Sequence, residues 1–153
     1  MKRILALALA VILCFSMTAC GNKTTEKLTS FYDKVTESQE LLDTVADDIY
    51  SNWYDAIYED EFNENINLAI ASAQIDNEEN LEKIETLDEE ISAIFKEIKD
   101  SEQGDLVKDI MSAYSDYYEF VVNVSGSFKS YSADKESLKK ELASLLKDLS
   151  YEI

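Results

Sequence analysis

The sequence predicts an all-α protein, an antiparallel three-helix bundle with long helices. The chain of 153 residues contains no proline, and only Gly104 and Gly126 of its three glycines lie beyond residue 25. It is rich in Glu, Lys, Leu, Ile and Ala, which favour long helices with few turns. Apolar residues recur at alternating gaps of three and four, the spacing of a helix face that packs against other helices.

The first predicted helix runs from about Thr25 to Tyr58. Its apolar seam is sustained at heptad spacing and is extended by Trp53 and Ile57. The seam consists of Leu28, Phe31, Val35, Ser38, Leu42, Val45 and Ile49. Acidic residues occupy many of the remaining positions, which indicates that the opposite face of the helix contacts water.

The second predicted helix follows a turn at residues 59–65 and runs to about Ser101. The turn is marked by an acidic run at residues 59–61 and by two asparagines. The helix then shows a thin seam of small residues and a thicker seam rich in Leu and Ile. The polar segment 76–80 separates the two seams, and we expect the helix to continue through it.

The third predicted helix begins after a turn at Gly104. Residues 125–127, Ser-Gly-Ser, interrupt it with side chains that disfavour helix interiors. The apolar spacing nevertheless continues across this interruption through Phe128 and Tyr131 into a leucine seam. We therefore predict one long third helix that is kinked or briefly broken near Gly126, with a four-helix bundle as the alternative.

The N-terminal segment is built like a secretion signal. Lys2 and Arg3 precede an apolar run at residues 4–15, which is shorter than the about 20 residues that a membrane-spanning helix needs. The sequence Met-Thr-Ala-Cys that ends at Cys20 resembles the lipobox of bacterial lipoproteins, in which cleavage precedes a lipid-modified cysteine. The resemblance implies a signal peptide at residues 1–19, lipidation of Cys20, a tether at residues 20–25 and a helical bundle domain at residues 26–153.

The same resemblance implies a protein anchored to the cell membrane, on its extracytoplasmic face, through lipid on Cys20. One acyl chain attaches a protein only marginally, so we expect two or three chains, such as palmitate, on this cysteine. The rest of the chain looks like small helical lipoproteins of Gram-positive bacteria, a likeness that implies no particular activity. An ordinary secretion signal and an uncleaved membrane anchor are the alternatives.

The composition excludes several classes of function. The formal net charge is −18, and loss of the signal peptide would remove two cationic side chains from this total. So acidic a chain is repelled by nucleic acid, and we predict no nucleic-acid partner. There is no histidine, and Cys20 would be the only cysteine after cleavage, which disfavours disulfide, thiolate and zinc chemistry. We predict no catalytic residue, no cofactor and no metal site.

Trp53 is predicted to have a structural role. Counting helical rises places it near Phe128 and Tyr131, where Gly126 would leave room for the indole ring. Its ring N–H would then bond to a carbonyl group that the kink frees. An exposed recognition role for Trp53 is the alternative reading.

Three tyrosines are predicted to point outward, namely Tyr54, Tyr58 and Tyr118. Tyrosine is enriched at protein interfaces, so these residues are candidates for binding a partner, with packing as the competing interpretation. Acidic runs at residues 59–61, 76–79 and 88–90 lack the glycine of a calcium-binding loop and are interpreted as solvated helix faces.

The sequence favours a membrane-anchored helical module that binds another protein and is not an enzyme. This prediction depends on the lack of catalytic and metal-binding motifs in the sequence as much as on the outward tyrosines. The alternative is a small-ligand or cation-binding accessory lipoprotein of a transporter, which would need a cavity between helices or converging carboxylates.

Overall fold

The computed structural model describes residues 2–59 and 61–153, with side chains described from residue 23 onward, and all regular structure in these residues is helical. The all-α prediction is confirmed. Five α-helices and a short 3-10 helix occur where three helices were predicted. They are α1 (Lys2–Tyr58), the 3-10 helix (Glu61–Glu64), α2 (Ile66–Asp76), α3 (Glu78–Ile98), α4 (Gly104–Val122) and α5 (Phe128–Leu149).

The break predicted near Gly126 is confirmed, but the prediction that both parts form one long third helix is wrong, because the chain reverses direction between α4 and α5. Along α4, Tyr114 contacts Ser38 and Tyr117 contacts Asp43, so α4 runs parallel to α1. Along α5, Tyr131 contacts Ala46 while the later Lys139 contacts Asp43, so α5 runs antiparallel to α1. The helices therefore make four passes along the bundle, with α2 and α3 together forming the second pass.

The reversal is built by Gly126 and the serine that follows it. Gly126 has a φ of 91°, a conformation that only glycine adopts without strain. Ser127 then caps α5 by accepting a hydrogen bond from the Ser130 amide, and the Ser130 hydroxyl accepts from the Ser127 amide. The apolar spacing continues across this turn because both helices present one face to the same core. Such spacing is the same whether the second helix continues the first or runs back along it.

A second interruption, at Asn77, divides the predicted second helix into α2 and α3. The Asn77 side chain is 4% exposed and donates to Asp48 at 2.8 Å and to the Ala73 carbonyl at 3.0 Å. Its own amide oxygen accepts from Asn80 at 2.7 Å. Because these bonds compete with helical geometry, the helix is interrupted for one residue, and the expectation of continuity is wrong at this position.

The first turn lies where the sequence predicts it, but the second differs in detail. Phe62, Asn63 and Glu64 all have positive φ, which reverses the chain between α1 and α2. Gly104 is the first residue of α4 rather than the end of the preceding helix. It is buried, and a Cβ there would collide with the Lys99 carbonyl oxygen, so glycine permits α4 to approach the end of α3 closely.

The core contains every member of the apolar seam predicted for α1, from Leu28 to Ile49. Three buried tyrosines from α4 and α5 complete it together with the isoleucines of α3 and the leucines of α5. Residues 23–25, predicted as part of a tether, belong to α1. The side chains of the predicted signal peptide and of Cys20 are not among the described ones, so the signal peptide and the lipidation of Cys20 stay predictions.

Candidate functional site

Aromatic side chains at the C-terminal end of α1 pack against the first residue of α5. Phe128 stacks on Tyr50 with ring centroids 5.0 Å apart, and its centroid lies 6.2 Å from that of Tyr54 and 6.3 Å from that of Tyr58. Tyr54 and Tyr58 are 4.7 Å apart and are 40% and 60% exposed. We call Tyr50, Tyr54, Tyr58 and Phe128 the aromatic patch. Each ring of the aromatic patch therefore packs against at least one other ring of the patch.

Trp53 contacts Phe128 from within the core. It is 4% exposed, and its ring lies 5.9 Å from Phe128 and 5.5 Å from Tyr131. Among the described residues its ring nitrogen has no hydrogen-bond partner, so the bond predicted to a freed carbonyl does not form there. Gly126 is exposed and serves the α4–α5 turn through its positive φ, which differs from the predicted notch for the indole ring.

Tyr118 lies on a different surface from Tyr54 and Tyr58. It is a half-buried residue of α4 whose ring contacts Tyr114 at 6.3 Å and no member of the aromatic patch. The three tyrosines proposed for partner binding therefore do not form one surface. Tyr118 instead lines an open groove of about 580 Å³ between α2, α3 and α4, which we call the α3–α4 groove.

The apolar part of the α3–α4 groove consists of Ile75, Leu81, Tyr118 and Val122. Ile75 is 71% exposed, although isoleucine is among the residues most often buried in proteins. Gln74 also lines the groove, and its side-chain amide donates to the Val122 carbonyl at 3.4 Å. This bond provides a partner for a carbonyl in the last turn of α4 and fixes α2 against α4.

The acidic part of the groove is a row of three glutamates, Glu78, Glu82 and Glu85. Their spacing of four and three places them on one side of α3. In the part of the chain whose side chains are described, none of them forms an ion pair. Burial raises the pKa of Tyr118, and the negative charges of Asp88 and Glu85 act in the same direction. The groove is therefore apolar inside and negative at its edge.

The polar groups inside the bundle hold helices in register. Tyr114 bonds to Ser38 at 3.1 Å in the core, and Tyr117 donates to Asp43 at 2.6 Å. Lys139 pairs with the second oxygen of Asp43 at 2.9 Å, and this bond raises the pKa of Lys139. Burial raises the pKa of both tyrosines, so they remain neutral hydrogen-bonding groups over the physiological range. These bonds tie α1 to α4 and α5.

The described residues contain neither a cluster of metal-binding side chains nor a helix suited to crossing a membrane. No group of three or more Asp, Glu, His or Cys side chains there is arranged to hold a metal ion. No helix in that part of the chain is both long enough and apolar enough to cross a membrane. Comparisons with protein-family models, with curated proteins and with solved structures find no match to this chain.

Sequence reasoning missed the groove, although one signal for it was visible. No lysine or arginine occurs between Lys34 and Lys83, whereas acidic residues recur throughout that segment. Asp76 and Glu78 therefore lie at least five residues in sequence from the nearest lysine. The exposure of Ile75 was not detectable in the same way, since α2 is apolar on both sides and its pattern does not show which side is buried.

Proposed function

We propose that this chain is a lipid-anchored protein on the extracytoplasmic face of the cell membrane that binds another protein and catalyses no reaction. The aromatic patch is the observation that supports this proposal. Exposed tyrosines with rigid, mutually packed rings lose little side-chain entropy on binding, and such residues are enriched at the centres of protein interfaces. Ile57, which is 39% exposed, adds an aliphatic side chain between Tyr54 and Tyr58 in sequence.

The position of the patch along α1 suits an anchored protein. From Lys23 to Tyr54 the helix advances about 45 Å at 1.5 Å per residue. Lipid on Cys20 would lie near the first of these residues, so the patch would stand well clear of the lipid headgroups. A partner protein could then reach it without contacting the membrane.

The anchor is tested by mass spectrometry of the protein extracted from native membranes. We expect an N-terminal Cys20 that carries acyl chains, and release of the Cys20→Ser variant from the membrane fraction. An unmodified thiol or a retained leader in the mature product would contradict the anchoring part of the proposal, whatever the aromatic patch does.

The partner-binding part is tested by placing a photo-crosslinking amino acid at single positions of the full chain in native membranes. Positions 54 and 58 probe the aromatic patch. Tyr151 is the matched control, because it is an aromatic residue that is 71% exposed and lies after the last helix. We expect a discrete adduct with one protein from positions 54 and 58 and none from 151.

The same experiment can refute the proposal. Identical adducts from all three positions would indicate general contact with abundant membrane proteins. Absence of any adduct at 54 and 58, in cells where the protein is present at its normal level, would remove the aromatic patch as a binding surface.

A further inference from the structure

The α3–α4 groove combines exposed apolar surface with a row of glutamates. It exposes an isoleucine beside half-buried apolar residues, and it borders them with three glutamates that form no ion pair with any side chain that the structure describes. We propose that this groove binds a basic amphipathic helix of a partner protein. The proposal adds a second surface to the proposed function and does not require the aromatic patch, which lies where α1 meets α5.

The apolar residues of the groove account for the amphipathic character of the ligand. Ile75, Leu81, Tyr118 and Val122 present aliphatic and aromatic surface from three helices. An amphipathic helix laid into such a groove buries its apolar face, which is a recurrent mode of peptide recognition. Ile75 would bury the most additional apolar surface on binding, because 71% of its surface is exposed in the isolated chain.

The charge of the groove accounts for the basic character of the ligand. Glu78, Glu82 and Glu85 repeat at intervals of four and three, so they can face lysines or arginines spaced in the same way on a second helix. The facing helix α4 offers them no cation, since its one lysine, Lys108, pairs with Asp105 at 3.1 Å. Lysines or arginines of a partner helix would therefore be the cations that complement this row of carboxylates.

The length of the groove sets the length of the ligand. Its lining extends from Ala71 on α2 to Glu85 on α3, a rise of about 21 Å at 1.5 Å per residue. A helix of about 14 residues, or four turns, would span it. Three to four apolar residues on one face of such a helix could contact the groove.

A second copy of this chain does not supply such a helix. The helix with most lysines is α5, but its apolar residues Leu142, Leu146 and Leu149 are already buried in the bundle. Presenting that face to another molecule would require the bundle to open. The ligand is therefore a segment of a different protein.

The test uses the full chain in nanodiscs of phosphatidylcholine, a neutral lipid that does not itself attract cations. The probe is a 14-residue synthetic peptide designed to form a helix with leucine on one face and lysine on both flanks. A scrambled peptide of the same composition and the polyamine spermine serve as comparison ligands. Binding is measured by isothermal calorimetry against empty nanodiscs.

Two charge-reversal variants isolate the groove from the general charge of the protein. The double variant Glu82→Lys with Glu85→Lys alters the groove. The double variant Asp134→Lys with Glu141→Lys makes the same change in net charge on α5, at exposed positions outside the groove. Ile75→Gln tests the apolar contact at an exposed position, and thermal melts verify that each variant is folded.

We expect the helical peptide to bind and the groove double variant to weaken binding about tenfold or more, while the α5 variant changes it less than about twofold. We expect Ile75→Gln to weaken binding several-fold. Equal losses in both double variants, equal binding of the scrambled peptide, or displacement of the peptide by spermine at equal charge would each overturn the proposal. Failure of the helical peptide to bind would do so as well. None of these results bears on the aromatic patch, so the two proposals fail separately.

Discussion

The charged residues on the two sides of α3 differ in whether they form ion pairs. On the side next to α1, Lys83 pairs with Glu37 at 2.6 Å, Glu90 pairs with Lys34 at 2.6 Å, and Glu97 pairs with Lys27. We call this the paired edge. On the side next to α4, the groove edge of Glu78, Glu82 and Glu85 meets Tyr118 and Val122 and forms no ion pair within the described residues.

The negative charge of this protein is therefore compensated unevenly between the two edges of α3. Lysines are present where α3 meets α1, and the helices approach each other along that seam. The described residues that line the α3–α4 groove include no lysine, and the groove is open. Surface ion pairs contribute little to stability. The difference in ion pairing therefore affects what each edge can bind more than it affects the stability of the bundle.

The largest expected loss of stability comes from a mutation on the buried face of α3, which lies between the two edges. Ile84 is fully buried, and Ile84→Ala should lower the free energy of unfolding by about 3 kcal/mol, because it leaves a cavity in the core. Ile75→Ala, at the exposed wall of the groove, is the matched control and should cost less than about 0.5 kcal/mol. Urea unfolding measures both. Equal losses would show that the groove is part of the core and not a free surface.

An intermediate effect is expected at Asn77, the junction from which the groove edge begins. Asn77→Ala removes the bonds to Asp48 and Ala73 and should cost about 1–2 kcal/mol. Asn80→Ala is the control, since it loses one bond of a half-buried side chain and should cost less. A stabilising effect of Asn77→Ala, measured by the same unfolding experiment, would show that an uninterrupted helix is preferred and that the bonds at Asn77 do not hold the break.

Charge reversal should have opposite signs at the two edges. Glu90→Lys places two lysines together at the paired edge and should destabilise the fold by about 0.5 kcal/mol. Glu82→Lys creates pairs with glutamates four residues before and three residues after it, and should stabilise by roughly 0.2–0.5 kcal/mol. Thermal unfolding at low salt detects the difference in sign. A destabilising Glu82→Lys would mean that Glu82 already has a favourable contact.

The smallest expected effect is that the pKa values of the Glu37 and Asp88 carboxyl groups shift in opposite directions, which carbon-detected NMR titration can measure. The hydrogen bond from Lys83, together with its charge, lowers the pKa of Glu37. Burial raises the pKa of Asp88, which lies near Tyr118, and Glu89 acts in the same direction. We expect Lys83→Gln to return the pKa of Glu37 to its usual range and to leave Asp88 unchanged.

The two shifts have opposite consequences for stability. The pKa of Glu37 is depressed by folding, so its contribution is present above its unfolded pKa and is lost as the pH falls through its folded pKa. The pKa of Asp88 is raised by folding, so its contribution is lost as the pH rises through its folded pKa. Shifts of the same sign at the two residues would contradict the opposite electrostatic environments of Glu37 and Asp88.

Part of the candidate surface followed from local sequence and part did not. Tyr54 and Tyr58 were placed on the outside of α1 because helical periodicity puts them away from the buried seam. The separation of Tyr118 from them required the position of α4 relative to α1, which no local pattern contains. The groove edge likewise could be recognised only once Glu82 and Glu85 were seen beside Tyr118.

Local sequence was sufficient to establish that the chain is helical, that the α1 seam from Leu28 to Ile49 is buried, and that turns lie near residues 59–65, Gly104 and Gly126. These properties depend on interactions within a few residues, such as apolar spacing, asparagine bonds to nearby backbone and the conformational freedom of Gly126. Only the tertiary structure decided that α5 runs back along α1, which carboxylates meet a lysine and which surfaces carry Tyr118 and the aromatic patch. A flexible turn permits several chain directions, and packing between residues distant in sequence selects among them.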